Sequence, residues 1–376
     1  MLHDFSRTLR FQAKEKRVGT GIPILPNRCL ILPNRVCALA PVPQFVVILS
    51  REGRDFIVKN TSNRAVAAPD RTHELKAELA SKVARHIGSS EKLATSIPRL
   101  TLHRRTAPTA GCPVTYEPSV IVIPQGRKQV QIGGETLIYD SSRYLLTSVD
   151  LPTVASVVEA SEQAPCLAVN LKLDISIVRE FLSQEEFHML DLPPDSPAMS
   201  TGRVTAELLS AWCRLLDLLS NPGDIPFLSG LVEREIMYRI LRGPEGARLR
   251  AIATLGDQSH RTAKAIAWIK ANYARPLRVE ELAQVAGMAV STLHHHFRAL
   301  TAMSPLQYQK QIRLQAARAR MLADDVDAAS VAFEVGYESA SQFNREYSRL
   351  FGQPPIRDIR TLRSPAAPRL ELVATA

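Results

Sequence analysis

The spacing of apolar residues divides this chain into successive stretches with different periods. Residues 1–70 carry no sustained period. From residue 70 to 95, Leu75, Leu79, Val83 and Ile87 step by four, which predicts an amphipathic helix, and Gly88 is placed to end it. From Ser96 to about Asp174 the period becomes two. Pro98 to His103 alternates, and Val120-Ile121-Val122-Ile123 is a fully apolar run ended by Pro124. Gln129 to Ile132 and Thr136 to Tyr139 flank Gly133-Gly134-Glu135, a turn signal that predicts a tight hairpin. Tyr144 to Thr147, Ala155 to Val158 and Cys166 to Leu171 read as further short strands. Several short strands at close spacing predict a small barrel or jelly roll.

From Ile175 the helical period returns, with Ile177, Val178, Phe181 and Leu182 forming one apolar stripe. A stronger one runs through Val204, Leu208, Leu209, Trp212, Leu215, Leu216 and Leu219. Leu231, Ile236, Tyr238, Ile240 and Leu241 follow, and Gly243-Pro244-Glu245-Gly246 breaks that helix. Gly256-Asp257-Gln258 reads as a linker to a last, all-helical stretch. Its expected helices are Arg261–Tyr273, Val279–Ala286, Ser291–Leu300, Pro305–Leu322, Asp327–Val335, Ser339–Phe351 and a short one from Pro355. Ser291 and Ser304 stand at N-cap positions, with Pro305 at N1.

This last stretch holds one pattern twice. Leu282-Ala283-Gln284-Val285-Ala286-Gly287-Met288 leads to Ser291–Phe297, and Val331-Ala332-Phe333-Glu334-Val335-Gly336-Tyr337 leads to Ser339–Tyr347. In each, the Gly suits a helix end with positive φ. A new helical period follows, with Leu293 and Phe297, then Phe343 and Tyr347, spaced i, i+4. Helix, Gly-containing turn, second helix is the helix-turn-helix unit, whose second helix can enter the DNA major groove. One copy is a weak signal; two in tandem are specific. Pro305 to Leu322 is 18 residues, about 27 Å of helix. That is the scale of a strut placing two such helices in successive groove segments about 34 Å apart on one DNA face.

Charge adds little to this picture. The formal net charge of the 376 residues is +10, but residues 1–70 hold 11 Lys and Arg against 5 Asp and Glu, while residues 257–360 hold 14 against 10. Residues 1–70 are rich in Pro and Arg and repeat Ile24-Leu25-Pro26-Asn27-Arg28 as Ile31-Leu32-Pro33-Asn34-Arg35. They read as a disordered or mis-annotated extension, with a DNA-touching basic arm as the sharper alternative. The absence of Met between Met1 and Met189 suits a later, non-Met start. The five cysteines (Cys29, Cys37, Cys112, Cys166 and Cys213) are scattered without CxxC spacing, which predicts free thiols in a reducing, cytoplasmic setting. No apolar run reaches transmembrane length, and the N-terminus lacks the layout of a secretory signal.

The last hundred residues resemble the DNA-binding domain of the AraC/XylS family of bacterial transcription regulators. The resemblance is strongest from Gly336 to Tyr347 and on through Phe351-Gly352-Gln353-Pro354-Pro355. Residues 75–255 resemble the family's β-rich regulatory domain, notably at Tyr116-Glu117-Pro118-Ser119, Gln125-Gly126-Arg127-Lys128 and Leu146 to Pro152. The resemblance implies an α+β chain: an extension over 1–70, a cupin-like or jelly-roll β-barrel with a helical dimerisation segment over 71–256, an all-α domain with two tandem helix-turn-helix units over 257–363, and a tail over 364–376. It implies double-stranded DNA as partner, a small-molecule effector in the barrel, contact with RNA polymerase, and a homodimer. Leu208, Trp212, Leu215, Leu216 and Leu219 are candidates for the dimer helix, with burial inside one chain as the equal alternative.

The family pattern turns Ser291, His294 and His295 toward the groove, with Arg298 one turn beyond His294. In the second unit Ala340, Ser341, Gln342 and Arg345 match groove-facing positions. Gln342 suits adenine and Arg345 suits guanine or phosphate, although Arg345 has Glu338 and Glu346 near it in sequence as alternative partners. Arg349, Arg313 and Arg318 are phosphate candidates, or a solvated helical face. His294-His295-His296 does not read as a metal site, because consecutive helical side chains point ~100° apart. A metal-dependent barrel enzyme needs clustered His and carboxylate ligands, yet no His occurs between His103 and His188. Cys112 and Cys166 read as buried thiols rather than reactive ones. No G-x-S-x-G, P-loop or dinucleotide fingerprint is present, so no catalysis and no cofactor are expected.

Overall fold

Helix α1 (Arg71–Ile87) and a six-stranded sheet share one core, and this explains the most apolar strand of the chain. The computed structural model describes residues 45–49, 56–60, 71–183, 197–324 and 326–363. Val120 and Val122 of strand β6 (Ser119–Gln125) join a core with Leu79 and Val83 of α1, whereas Ile121 and Ile123 join a second core on the other face. A strand buried on both faces has no polar side to present, so the run Val120 to Ile123 is apolar throughout.

Ten strands build two antiparallel sheets in this part of the chain. With β3 (Lys92–Ala94), β4 (Leu100–Arg105), β5 (Cys112–Tyr116), β7 (Arg127–Ile132), β8 (Glu135–Asp140), β9 (Arg143–Thr147), β10 (Leu151–Glu159), β11 (Cys166–Lys172) and β12 (Met199–Arg203), the orders are β5-β10-β7-β8 and β12-β9-β6-β11-β4-β3. Inner-face residues of both sheets, among them Val130, Tyr139 and Leu151 against Ile123, Leu145 and Ala168, meet in one core. Strands β7 and β8 pair from Ile132 opposite Glu135, so the turn is the two residues Gly133-Gly134 and Glu135 is already strand.

Pro124 does not end its strand. Strand β9 pairs only with Ser119 to Ile121, and the register with β11 shifts between Leu167 and Val169. Pro124 therefore sits at an irregularity where its missing N–H removes no ladder bond. Strand β12, rich in Ser, Thr and Gly, has no apolar alternation to announce it; it forms because β9 offers a partner edge.

The other face of the six-stranded sheet is covered by helices. These are α1, α3 (Ala206–Asp217), α4 (Ile225–Arg242) and α5 (Gly246–Ala253), with α2 (Ile175–Leu182) packed against α4 and α5. Thr205 caps α3 by accepting from Leu208 N. The α3 stripe is used inside the chain: Leu208, Trp212, Leu215 and Leu216 are buried against α1 and the sheet, and Leu219 is partly buried beside them. The dimer-helix assignment is thus corrected, because these side chains have no free face. Among these helices α4 leaves apolar residues open, with Phe227 77% and Leu231 63% exposed.

Among residues 1–69, which cluster as a separate unit, β1 (Phe45–Leu49) and β2 (Phe56–Asn60) pair antiparallel, Phe45 opposite Asn60. The Ile24–Arg28 duplication, Cys29, Cys37 and the tail 364–376 lie outside the described residues.

Leu215→Ala should lower stability by about 2–5 kcal/mol through the cavity it leaves, by the same amount at every protein concentration. Chemical denaturation at concentrations spanning two decades checks this; a loss confined to high concentration would return α3 to an intermolecular face.

Candidate nucleic-acid interface

Two turns of the same chemistry set the angle between helices in the last part of the chain. Helix α6 (Gln258–Ala271), capped by Asp257, precedes α7 (Val279–Ala286). Gly287 then adopts φ 65°, and the N–H of Met288 donates to Ala283 O at 3.0 Å. The second copy repeats this: Gly336, after α10 (Ala328–Glu334), has φ 92°, and Tyr337 N donates to Ala332 O at 2.9 Å. The left-handed residue lets the chain turn back while satisfying the last carbonyls of the helix. The copies differ in one respect. A Cβ on Gly287 would meet open space, whereas one on Gly336 would lie 2.0 Å from Ala274 O.

The second helices follow. Helix α8 (Val290–Thr301) has Ala289 at its N-cap with no side-chain bond. Ser291 therefore lies inside the helix and is not its cap, a correction that frees its hydroxyl for the surface. Helix α11 (Ala340–Phe351) is capped by Ser339, which accepts from Gln342 N. Between the units runs α9 (Pro305–Ala323), opened by Pro305 and a capping box of Ser304 with Gln307.

Each second helix buries one face and exposes the opposite one. On α8, Leu293, Phe297 and Leu300 are buried, while Ser291, His294, His295 and Arg298 are exposed on the far side. On α11, Phe343 and Tyr347 are buried, Ser341, Gln342, Arg345 and Arg349 are exposed, and Ala340 is half-buried. Asn344, which the sequence reading passed over, is exposed beside Arg345. Glu346 does not hold Arg345. It takes Lys310 (3.0 Å), Tyr337 Oη (2.9 Å) and Gln342 Nε2 (3.4 Å) instead. Burial pushes the Glu346 carboxyl up, but these partners outweigh it and hold it below the ordinary value. Among the described residues Arg345 has no ion-pair partner, and Gln342 is restrained only by its long bond to Glu346.

Two arginines marked for phosphate are structural, and that expectation is corrected. Arg313 donates to the carbonyls of Tyr273, Ala274 and Arg275 at 2.6, 3.2 and 2.9 Å, fastening the segment after α6. Arg318 is 4% exposed and donates two 2.8 Å bonds to Asp358 (5% exposed) on α12 (Pro355–Arg363). Tyr347 Oη also donates to Asp358, at 2.7 Å. Burial pushes that hydroxyl far up, and the carboxylate beside it adds to the shift, so it stays a donor.

Comparison with known proteins agrees with this architecture. Residues 96–248 match the family described as AraC-type transcriptional regulator N-terminus, and residues 282–360 match a helix-turn-helix domain family. The chain belongs to the AraC/XylS family of transcription regulators. It is 26% identical over 171 residues to the HTH-type transcriptional regulator ArgR of Pseudomonas aeruginosa, covering 46% of this chain and 50% of ArgR. It is 30% identical over 105 residues to the HTH-type transcriptional activator RhaS of Yersinia pestis, covering 28% of this chain and 38% of RhaS. The match thus spans half or less of each of these relatives. Among solved structures, ToxT of Vibrio cholerae superposes with a TM-score of 0.48 at 11% identity, covering 71% of this chain and 99% of ToxT.

In this member of the family the β-rich part and the first helix-turn-helix unit share a core. Ile266, Leu293, Phe297, Tyr308 and Ile312 belong to the same cluster as Tyr139 and Leu151. The second unit has its own cluster, around Leu314, Phe343 and Tyr347. Polar contacts across the first junction include Tyr308 Oη to Asp150 O at 2.8 Å, Lys270 Nζ to Asp150 at 2.7 Å, and Ala198 N to Leu300 O at 3.0 Å. Thr115 of β5 donates to Gln315 of α9, and Arg318 Nη1 approaches Cys112 Sγ at 3.3 Å. A cavity of about 100 Å³ lies between the sheets, lined by His103, Arg105, Cys112, Tyr116, Lys128 and Asn170 among others. Its one signal in the sequence is a polar Asn in the otherwise apolar run Cys166 to Leu171.

Gly287→Ala should cost about 1–2 kcal/mol, the strain of a left-handed residue with a Cβ, and Gly336→Ala clearly more, because Ala274 O must also move. Thermal melts of the two variants give the order. Arg318→Leu should cost about 3–5 kcal/mol by leaving Asp358 buried without its charge partner, and Arg318→Leu with Asp358→Leu should recover part of it; a double variant as unstable as the single one would argue against the pair.

Proposed function

We propose that this chain is a sequence-specific DNA-binding transcription regulator that reads two successive major-groove segments with α8 and α11. One observation carries the reading: two helix-turn-helix units, joined by one packed helix, each turn a polar face outward directly opposite their buried aromatic residues. Ser291, His294, His295 and Arg298 form the first reading face. Ala340, Ser341, Gln342 and Arg345 form the second, with Arg349 on phosphate. Residues 257–363 act as the DNA-binding domain and 71–256 as an effector-sensing domain. Contact with RNA polymerase and a second copy of the chain complete the partners, the copy meeting the open face of α4 rather than α3. The reading places this work on DNA in the cytoplasm; among the described residues no helix is long and apolar enough to cross a membrane.

The alternative is an architectural DNA binder without base reading. Two different polar faces, one rich in His and one carrying Gln and Arg, favour specificity, because an architectural protein needs only phosphate contacts. Genome-wide occupancy of the tagged chain decides between them. A few sharp sites, lost with His295→Ala plus Arg345→Ala, are expected; broad occupancy indifferent to both changes would establish the architectural role. In vitro, Arg345→Ala alone should weaken binding to such a site about tenfold or more, since one bidentate base contact is worth ~1–3 kcal/mol. Its melting temperature should be unchanged, because the side chain is exposed and unpaired. Fluorescence anisotropy across a salt series measures the loss.

A further inference from the structure

The cavity between the two sheets has more positive than negative groups around it. His103 and Arg105 reach it from β4, Lys128 from β7, and Asn170 from β11. Arg105 is compensated: it pairs with Glu91 at 3.2 Å and donates to Glu91 O at 3.1 Å. Glu117, the one acid on the lining, is taken up by Lys172 and by Lys270 at 3.4 Å. Among the described residues His103 and Lys128 have no hydrogen-bond or ion-pair partner. Asn170 is 9% exposed, and its Oδ1 has no partner either. A half-buried ammonium with no counter-charge is costly unless an anion in the cavity answers it. In the rest of the lining, Val114, Ile121, Ala155 and Val157 make an apolar wall, and Thr109, Tyr116, Ser119 and Ser156 add hydroxyls.

We propose that this cavity binds a compact organic carboxylate, its anion held by Lys128 and His103, with the Asn170 amide N–H₂ donating to it and the apolar wall taking its hydrocarbon body. The proposal rests on the reading of residues 71–256 as the sensing domain and names the class of its effector. The apolar wall selects an organic acid over inorganic phosphate, and one unpaired ammonium beside one imidazole suits a single negative charge. Burial pushes Lys128 down, with Cys166 opposing and Arg105 adding to the shift. Burial likewise pushes His103 well down, reinforced by Lys128, Arg105 and Lys92. Both directions are those of cations that lack a counter-charge. Cys112 lines the same cavity and touches Arg318 on α9, so an occupant lies one side chain from the helix that joins the two DNA-reading units.

The test uses the full chain and isosteric pairs: acetate, propionate and butyrate against acetamide, propionamide and butyramide, with chloride at matched ionic strength and inorganic phosphate as a further arm. At least one carboxylate should raise the melting temperature by roughly 2–4 °C over chloride, as a native-state ligand does by mass action, and its amide should not. Lys128→Met should abolish the shift, and His103→Gln should reduce it. Equal shifts from amides and carboxylates, no shift beyond chloride, or the same shift in Lys128→Met would each overturn the carboxylate site. A phosphate shift matching the carboxylates would replace it with an unselective anion site. The readout contains no DNA, so its failure leaves the DNA-binding reading standing. Failure of that reading, seen in the Arg345→Ala binding assay, leaves this one standing.

Discussion

Helix α9 is the constraint on which the rest depends. It has buried positions around its whole circumference: Tyr308 and Ile312 enter the core shared by the β-rich part and the first unit, while Leu314, Ala317 and Met321 enter the core of the second. Two of its buried polar side chains, Gln309 and Arg318, find their partners on other parts of the chain. Gln309 donates to the carbonyls of Tyr273 and Arg275 at 2.9 and 2.7 Å, and Arg318 takes both oxygens of Asp358. Each of the two residues ties α9 to a different neighbour. A helix held this way has one position, and the two units it joins inherit a fixed relation.

That relation is what a DNA reader needs. The buried aromatic residues set the roll of each second helix: Phe297 meets Tyr308 edge-on at 5.5 Å, and Phe343 lies between Tyr337 and Tyr347 at 5.3 and 5.4 Å. With the roll fixed from the inside, the polar residues opposite are presented at set angles without contributing to the packing. Rigid elements hold a recognition face more accurately than loops do. The faces are thereby free to vary chemically, which accounts for an imidazole-rich first face on a scaffold that does not require one.

The junction with the β-rich part gives control a physical route in this molecule. The first unit does not close its own core; residues of both sheets complete it, and Asp150 receives Tyr308 and Lys270 together. A side chain at Gly133, in the β7–β8 turn, would come within 2.8 Å of the Ala302 Cβ that ends α8. A change in the sheets is therefore felt at α8 and α9 through packed atoms and hydrogen bonds.

The sequence by itself determined the elements and the tandem plan. Periods of four and two gave α1, α3 and the strands from β4 to β11, with the exception of β5, and the seven last helices fall within a few residues of their expected limits. This succeeds because side-chain periodicity and turn glycines are local quantities. It also marked the outward faces of α8 and α11, since i, i+4 spacing of Leu293 with Phe297 fixes what lies opposite. Only the tertiary structure decided the rest. Strand β12 depends on an edge supplied by β9, and Pro124 is tolerated because of a register shift in a neighbour. The α3 stripe looks the same whether it faces α1 or a second copy, because amphipathicity records that a face is covered and not by what. Arg313, Arg318 and Arg345 are alike in sequence. Two are structural because Tyr273 and Asp358, distant along the chain, are brought beside them, and the third stays open because Glu346 is already taken.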